Sequence, residues 1–507
     1  MNIVFDKKTL KVLSVFDNIV AMSEELFLKQ MFPDNFSNLG LWNINKSINL
    51  NIVWLSVAVD KNGNPNVLKY KKKTIYKAPI AKENNSFNDK ILISSKNIIL
   101  GKDLSHFLIT SPYTKKKTAE DLLNGIIPYK YPIPIIWKGF FRLSTGYSAI
   151  GRNILFRLHN YGIFGKPEHL PSHSDIDPVY LSYLSKYDHL RFYRRHNEQV
   201  KILSHTPLHD SFIGRKIIFT MMEAETLHPD FVNMCNRYNE VWVPCSHNYN
   251  LFINHGVKVP IYIIPLGVDE RFYFEENNEK INIQDALLPL LGSGLKRFKF
   301  ISLFQWYSRK CPDILIKSFV REFTDKDDVS LIIVNHHGEP SQIFNDVQNY
   351  VKNIRSGNWP SIFLYNQIPH DKQMPSVYKF CNAFVSTSRG EGFSLPHIEA
   401  AACGLPVVSA HHTAMKDYLD DSNSYLVKVS KKEVCPPSLA ASCGWYNGQL
   451  FNLLGRDEID SFARCMRSVV ENYDEALKKA YKLQCLIKNN YTWDITTSLV
   501  ARRIREA

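Results

Sequence analysis

The sequence lacks the long apolar segments, heptads and repeats that mark several protein classes. No stretch of its 507 residues reaches the ~18 uninterrupted apolar residues that a membrane helix needs. Charged residues make up only 22% of the chain and form no long heptad run, which excludes a coiled coil. No repeat with a period of 20–50 residues occurs, so a solenoid or repeat array is not indicated.

Cysteine clusters are also missing, since the nine cysteines show no CxxC spacing. Most of them lie in or beside apolar runs, where a free thiol behaves as a small hydrophobic group. Cys435 and Cys443 are near enough in sequence to pair, but the N-terminal residues contain no small-residue cleavage site of a secretory signal. We therefore expect free thiols and a cytoplasmic protein without a transmembrane segment, with peripheral membrane contact left open.

The remaining composition is that of a folded, basic protein. Hydrophobic residues at 45% and aromatic residues at 12% are ample for packed cores, which excludes a disordered chain. Lys and Arg (62) outnumber Asp and Glu (49), giving a net charge of +13. This charge suits phosphates, nucleic acid or an anionic membrane surface, without choosing among them.

Two parts of the chain alternate short apolar runs with amphipathic segments. The runs of the first part, residues 130–275, include PIPIIWKG, KIIFTMM, VWVPC and IYIIPLG, and those of the second, residues 293–470, include KFISLF, SLIIVNHH, NAFVSTS and PVVSA. Such alternation is typical of parallel strands covered by helices. We expect an α/β protein with two doubly wound Rossmann-like domains facing a cleft, joined by a hinge at Glu275–Ser293.

Two further segments flank these domains. Residues 1–125, rich in Asn and Lys, are predicted to be an extra, strand-rich N-terminal module, and the sequence does not indicate its role. Its lysine triplets, Lys71–Lys73 and Lys115–Lys117, are interpreted as solvated loops in preference to a polyanion contact. Residues 471–507 are predicted to be C-terminal helices that pack back on the first of the two domains.

The most informative motif is SRGEGFSLPHIEAAACGLPVVSA, residues 388–410. A buried strand leads into a glycine-rich loop, and a helix follows in which Ser394 can cap the N-terminus and Pro396 fits the first turn. This order directs the backbone N–H groups of Phe393, Ser394 and Leu395, with the positive end of the helix dipole, toward the cleft. The loop is predicted to bind an anion such as a diphosphate.

Two carboxylates, Glu391 and Glu399, frame this loop with seven residues between them. Carboxylates accept hydrogen bonds from sugar hydroxyls, so a hydroxyl-rich ligand with a central diphosphate fits both. The spacing is equally compatible with one glutamate in a capping role and the other on a solvated helix face.

EGFSLPHIE resembles the E-x7-E motif of retaining, nucleotide-sugar-dependent glycosyltransferases of the GT-B fold, in particular glycosyltransferase family 4. The resemblance covers about residues 133–500. It extends to FQWYSRKCPDILIKSFVREF, VWVPCSHNYNLFINHGV, IYIIPLGVDERFY and SAHHTAMKDYLDDSNSYLV. The resemblance implies that residues 130–275 form the acceptor-side domain and residues 293–470 the domain that binds a UDP- or GDP-sugar.

The resemblance also implies roles for individual residues. Glu391 would hold the donor sugar's hydroxyls, Glu399 the ribose, and Lys310 and Arg309 the diphosphate. Gly146 would match a glycine turn that lets the chain approach the donor phosphates. The donor-binding loop would comprise Gly392, Phe393, Ser394 and Leu395.

Three positions depart from the family pattern. Gln305 stands where many members have an arginine, so Arg309 is expected to supply that charge. Ser394 replaces the usual glycine of EGFGLP, which costs backbone freedom. On the acceptor side, where many members have a histidine, FTMMEAETLHPD offers Glu223 and His228, and the sequence assigns neither a firm role.

The expected reaction moves a sugar to a hydroxyl of a glycan, lipid or protein with retention of configuration, the leaving phosphate accepting the proton. No cofactor or metal is expected, because no DxD-like pair ends a nucleotide-domain strand and His336–His337 lacks acidic neighbours.

Two alternatives stay open. The net charge and the run YDHLRFYRRH favour a transferase that glycosylates modified DNA bases. The basic and aromatic residues of that run are Tyr187, Arg191, Tyr193, Arg194 and Arg195. The chain could also be a non-catalytic GT-B-like binding or structural module, although the joint presence of Lys310, Glu391 and Glu399 disfavours it.

Overall fold

A computed structural model describes most of residues 133–506 and seven strands within residues 1–125. The ranges described after residue 125 are 133–143, 145–172, 176, 180, 181, 184, 187, 200–273, 283–335, 338–352, 354–365 and 373–506. The chain divides into one compact unit of Met1–Leu203, Ser211–Lys216 and Ala501–Ala507 and a second of Ser204–Asp210 and Ile217–Val500. The domain boundaries drawn from the sequence stay predictions.

The N-terminal strands form two small antiparallel sheets. One sheet has the order β2-β1-β3 and the other the order β5-β4-β6-β7. The strands are β1 Asn2–Asp6, β2 Val12–Phe16, β3 Leu39–Asn43, β4 Leu55–Val59, β5 Pro65–Val67, β6 Lys90–Ile93 and β7 Ile98–Leu100. Both lysine triplets, Lys71–Lys73 and Lys115–Lys117, lie outside the described residues.

The rest of the first unit contains a parallel β-α-β arrangement. Strand β8 (Ile133–Gly139) leads into helix α1 (Gly146–Leu158) and pairs in parallel with β9 (Ile163–His169). The helical spacing of apolar residues in AIGRNILFRLHNYG predicts this helix, and Ile150 and Ile154 are fully buried. A 3-10 turn, His159–Tyr161, follows the helix and ends at Gly162, whose backbone is left-handed (φ 68°). Strand β9 was not predicted.

The second unit begins with three parallel strands in the order β13-β12-β11. Every residue of β12 is buried, as expected for a strand covered on both faces. The elements of residues 200–263 are β10 Val200–Ser204, β11 Arg215–Phe219, α2 Pro229–Cys235, β12 Glu240–Val243, α3 Ser246–Asn254 and β13 Ile261–Ile263.

A seven-stranded sheet follows, in the order β14-β17-β16-β15-β18-β19-β20. All pairs are parallel except that of the edge strand β14 with β17. Its strands are β14 Leu287–Leu291, β15 Phe298–Phe304, β16 Val329–Asn335, β17 Ser361–Tyr365, β18 Ala383–Ser386, β19 Val407–His411 and β20 Tyr425–Lys428, and its helices are α4 Pro312–Glu322, α5 Pro340–Val351, α6 Met374–Lys379 and α7 Leu395–Ala402.

Two local predictions in this part were wrong. Residues 287–291, assigned to the hinge, form β14, because their apolar side chains pair with β17 and partly cover the sheet edge. The segment MKDYLDD, residues 415–421, favours a helix from its sequence, but the structure has a 3-10 turn at Thr413–Asp417. Residues 274–282 of the proposed hinge lie outside the described part of the chain.

The last part of the chain adds a hairpin and three helices. The hairpin, residues 432–452, pairs β21 (Lys432–Val434) with β22 (Leu450–Asn452) around the short helix α8 (Pro437–Ala440), and it was not predicted. Helices α9 (Arg456–Glu471), α10 (Tyr473–Asn490) and α11 (Trp493–Arg505) follow. Helix α9 packs on α4 and α10 on α7, and Thr496 at the start of α11 donates to the carbonyl of Pro265 (2.7 Å).

Candidate functional site

The candidate site lies where three adjacent parallel strands end. Strands β15, β18 and β19 are neighbours in the sheet, so their carboxyl ends meet at one edge. The segment after β15 carries Arg309 and Lys310, the loop after β18 carries Glu391, and Thr413 follows β19. Residues distant in sequence therefore come together because each directly follows a buried strand.

Glu391 is the centre of this cluster. Its carboxylate is 7% exposed, and its two oxygens lie 2.5 Å from Lys310 Nζ and 3.2 Å from Arg309 Nη1. Burial alone would raise the pKa of Glu391, but the charges of Lys310 and Arg309 outweigh it and lower that pKa to about 2. Glu391 is therefore an anion at any physiological pH and is unsuited to giving up a proton.

Arg309 lies inside the cluster. Its side chain is 6% exposed, and Nη1 also donates to the carbonyl of Gly390 (2.6 Å) while Nη2 donates to Tyr307 Oη (3.1 Å). These bonds hold the guanidinium against the loop after β18. Its expected contact with a diphosphate stays a prediction, whereas Lys310, 14% exposed, is the more accessible of the two cations.

Hydrogen bonds join the segment after β15 to the loop after β18. The hydroxyl of Thr387 donates to the carbonyl of Cys311 (3.0 Å), and the N–H of Arg389 donates to the carbonyl of Arg309 (2.9 Å). The N–H of Glu391 donates to the hydroxyl of Thr413 (3.1 Å). Glu391 is thus fixed through its backbone as well as its side chain.

Strained backbone is concentrated around this cluster. Four non-glycine residues in the described part of the chain have positive φ, and three of them are Cys311 (49°), Ser394 (71°) and Thr413 (44°). Each costs roughly 1–3 kcal/mol and persists only where its surroundings hold it in place. Concentrated strain of this kind is typical of sites that position a ligand.

Ser394 does not act as the predicted helix cap. It precedes α7, which has Pro396 in its first turn as predicted, but its side chain makes no capping hydrogen bond. The positive φ of Ser394 explains why glycine would fit there without strain. Among the described residues, no group accepts a hydrogen bond from the backbone N–H of Gly392, Phe393, Ser394 or Leu395.

The hydroxyl of Ser394 instead begins a directional chain of hydrogen bonds. Ser409 Oγ donates to the carbonyl of Ala410 (2.9 Å), so it accepts from His397 Nε2 (2.8 Å). His397 Nδ1 must then accept from Ser394 Oγ (2.7 Å). Burial lowers the pKa of His397 to about 3, so the imidazole stays neutral and the direction of the chain is fixed.

These hydrogen bonds predict that His397 and Ser394 contribute to the free energy of unfolding as a coupled pair. Replacing His397 with Phe keeps the ring packing on Phe384 but leaves two hydroxyls without their partner, which should cost about 1–3 kcal/mol. Replacing Ser394 with Gly relieves the backbone strain at this position and removes the hydroxyl that His397 would otherwise bind. In the Ser394→Gly background we therefore expect His397→Phe to cost clearly less, as measured by urea unfolding.

His412→Phe is the matched control for this cycle. His412 is equally buried, but its ring nitrogens bond to Ser388 and Thr413. Its cost in free energy of unfolding should be the same in the wild-type and Ser394→Gly backgrounds. Additive effects of the Ser394 and His397 changes would contradict the pairing.

Glu399 lies on the same helix, more than one turn further along. Its carboxylate accepts a hydrogen bond from Tyr378 Oη (3.0 Å), and the Tyr378 ring is fully buried between Phe272 and Phe384. Tyr378 therefore holds Glu399, and no local sequence pattern indicated this pairing. The ribose contact expected of Glu399 stays a prediction.

The two acceptor-side candidates lie in different surroundings. Glu223 Oε1 lies 3.8 Å from Arg309 Nη2, and Glu223 Oε2 accepts from Tyr446 Oη (2.9 Å). His228 accepts from the N–H of Asp230 (3.2 Å) and thereby caps α2. The structure thus brings Glu223 into the cluster and gives His228 a local role at the start of a helix.

Other predicted residues are not part of this cluster. Gly146 is the first residue of α1 in the first unit. Of the basic aromatic run, only Tyr187 is described, and its ring is buried at 5.3 Å from that of Phe156. The other four residues, Arg191, Tyr193, Arg194 and Arg195, lie outside the described residues, as does the pair His336–His337.

Two kinds of feature are absent from the described residues. They contain no group of three or more His, Cys, Asp or Glu side chains placed to hold a metal ion. None of their helices is both long and apolar enough to cross a membrane. The expected metal independence stays a prediction, and all nine cysteines are free thiols.

Comparison with known proteins identifies the fold. Residues 296–441 match the family described as Glycosyl transferases group 1. Anabaena HepE in complex with UDP-glucose superimposes with a TM-score of 0.52 at 13% identity, over 74% of this chain and 100% of that one. Sucrose-phosphate synthase from Thermosynechococcus elongatus gives 0.52 at 12% identity, over 74% and 98%. The fold is GT-B.

The relatives found by sequence match a smaller part of this chain. A probable sucrose-phosphate synthase of Thermosipho melanesiensis is 22% identical over 249 residues, which is 49% of this chain and 48% of the relative. The chain spans about half the length of the curated relatives it matches. The expected fold class, two Rossmann-like domains of GT-B type, is confirmed.

Proposed function

We propose that the protein is a glycosyltransferase that moves a sugar from a UDP- or GDP-sugar to an acceptor hydroxyl with retention of configuration. The observation that carries this proposal is the buried Glu391 paired with Lys310 at the carboxyl ends of β15 and β18. These residues lie within the domain that matches the glycosyl transferases group 1 family.

The cluster has the groups that such a transfer needs. Lysine has three N–H donors, so Lys310 can bind a phosphate oxygen while it keeps its pair with Glu391. The backbone N–H groups at the start of α7, which have no acceptor among the described residues, add donors and the positive end of a helix dipole. Together they would stabilise the negative charge that develops on the departing diphosphate.

Glu391 and Glu399 would orient the donor. Glu391 is ionised and accepts hydrogen bonds from the sugar hydroxyls, and Glu399, held by Tyr378, accepts those of the ribose. The bond between the sugar C1 and the phosphate oxygen breaks as the acceptor oxygen attacks the same face. The acceptor proton passes to the departing phosphate, so no enzyme carboxylate has to take it.

The test is binding of UDP, GDP and a panel of nucleotide sugars to the full chain, followed by thermal unfolding and calorimetry without added metal. We expect one nucleotide series to raise the unfolding temperature by a few degrees at concentrations well above Kd. Tyr378→Phe should weaken binding of the same ligand about 3- to 10-fold, because Glu399 loses one hydrogen bond. A protein stabilised by none of these ligands would contradict the proposal.

A further inference from the structure

The residues around Glu223 form an arrangement that donor binding does not explain. Glu223 follows strand β11, which belongs to a different set of parallel strands from those that carry Lys310 and Glu391. Ligands of such sheets bind beyond the carboxyl ends of the strands. The carboxyl end of β11 is therefore a second position suited to ligand binding, and Glu223 lies at this position beside the cluster.

The backbone near Glu223 packs directly on the loop after β18. A Cβ added to Gly390 would lie 2.1 Å from the carbonyl oxygen of Glu223, and one added to Gly392 would lie 2.6 Å from the side chain of Met221. These contacts leave no room for side chains at Gly390 and Gly392. They hold Glu223 beside Glu391, with Arg309 between the two carboxylates at 3.8 and 3.2 Å.

One oxygen of the Glu223 carboxylate accepts no hydrogen bond from the described residues. Oε2 accepts the hydroxyl of Tyr446, but Oε1 lies too far from Arg309 for a hydrogen bond. No described residue donates to Oε1, and the side chain is 19% exposed. A carboxylate oxygen in this state is suited to accept a hydrogen bond from a hydroxyl of a bound molecule.

The 432–452 hairpin fixes this carboxylate. Glu225, two residues further on, anchors the hairpin through Lys432 Nζ (2.8 Å) and Asn452 Nδ2 (2.9 Å). The Tyr446 ring packs edge-to-face on Phe451 at 5.1 Å, so its hydroxyl is held toward Glu223. The hairpin thus contributes Tyr446 to a site otherwise built from other segments.

We propose that Glu223 binds a hydroxyl of the acceptor and that Tyr446 is a positioning residue that orients Glu223. The proposal rests on the proposed function, in which the attacking hydroxyl gives its proton to the departing phosphate. The hydroxyl that Glu223 binds is therefore a second one, adjacent to the attacking hydroxyl. The acceptor then carries at least two hydroxyls, as sugars and polyols do, and Glu223 gains a hydrogen bond without taking a proton.

The experiment measures how the full-length protein divides a donor between transfer and hydrolysis. UDP-glucose is the first donor, replaced by another nucleotide sugar if the binding panel selects one. Methyl glucoside and glycerol are the acceptors with several hydroxyls, and 1-propanol is the acceptor with one. We expect wild type to transfer to methyl glucoside or glycerol in preference to 1-propanol.

The variants separate acceptor binding from structure. Glu223→Gln should lower the ratio of transfer to hydrolysis at least about 10-fold, with the Kd for the donor unchanged, and Tyr446→Phe should lower it less. Asp230→Asn is the matched control, because it removes the same charge from a 74% exposed carboxylate that lies beside His228 and takes no part in holding the hairpin. It should leave the ratio unchanged.

Several results would overturn the proposal. These are an equal loss of transfer and hydrolysis in Glu223→Gln, the same change in Asp230→Asn, transfer to 1-propanol as efficient as to the others, and a wild type that only hydrolyses the donor. A wild type that binds no nucleotide sugar would instead overturn the proposed function, and the binding measurement shows this before any variant is compared.

Discussion

Replacing Glu391 with Gln is expected to lower the rate of sugar transfer about 100- to 1,000-fold. The amide keeps the shape of the side chain but loses the charge that Lys310 and Arg309 face in a buried setting. It also offers the donor sugar one acceptor oxygen in place of two. Steady-state transfer or hydrolysis of the donor measures the effect.

Glu433→Gln is the control for this variant. The Glu433 carboxylate pairs with Arg389 next to the same loop, but it is 31% exposed and does not touch Glu391. Its loss should change the transfer rate less than twofold. A Glu391→Gln protein that is folded and as active as Glu433→Gln would rule out a role of Glu391 in holding the donor.

The carboxylate of Glu391 makes the free energy of unfolding depend on pH below about pH 4.5. The pKa of Glu391 is lowered from 4.5 to about 2, so the ion pair stabilises the fold fully above pH 4.5 and is lost as pH falls toward 2. The difference corresponds to roughly 3 kcal/mol. Urea unfolding of wild type between pH 6 and pH 3 should show about 2 kcal/mol of this loss, and Glu391→Gln should lack it.

Replacing Lys310 with Met is expected to weaken UDP binding about 100-fold or more. Methionine keeps the length of the side chain and its packing, while the charge that would meet the diphosphate is removed. Arg309 remains to pair with Glu391, so the folded structure should persist. Calorimetric titration with UDP at fixed ionic strength measures the change.

Lys317→Met serves as the comparison for Lys310→Met. Lys317 lies on helix α4, seven residues away, in a half-exposed pair with Asp313. Its removal lowers the net charge by the same amount and should leave the Kd for UDP unchanged. Equal effects of the two changes would mean that UDP responds to overall charge and not to a phosphate contact at Lys310.

Much of the site could be predicted because it follows buried strands. Parallel strands covered on both faces are near-continuous apolar runs, and the residues just after them lie at the ligand-binding edge. Glu391 stands in such a position, so local sequence was enough to select it as a candidate, whereas Arg309 and Lys310 were implied by the resemblance to glycosyltransferase family 4. The pattern of SLPHIE also predicted the helix that follows the loop, including Pro396 in its first turn.

Local sequence could not predict contacts that depend on distant segments. The strands β21 and β22 are short and partly exposed, so they lack a continuous apolar run, and the hairpin with Tyr446 was missed. The cap assigned to Ser394 was wrong because the partner of its hydroxyl, His397, is oriented by Ser409 from another strand. The spacing of residues along the sequence does not show that Ser409 orients His397 toward Ser394.

Hydrophobic periodicity and residue type were sufficient for the α/β alternation, for the strand end that carries the glycine-rich loop and for the candidates Glu391 and Glu399, whereas Lys310 was implied by the family resemblance. Periodicity and residue type are local properties of the chain and can be read without knowing the fold. The position of Arg309 between two carboxylates, and the grouping of Glu223 and Tyr446 with Glu391, emerged only from the folded structure. This is because the charge state and partners of a buried group depend on every segment packed around it, however distant in sequence.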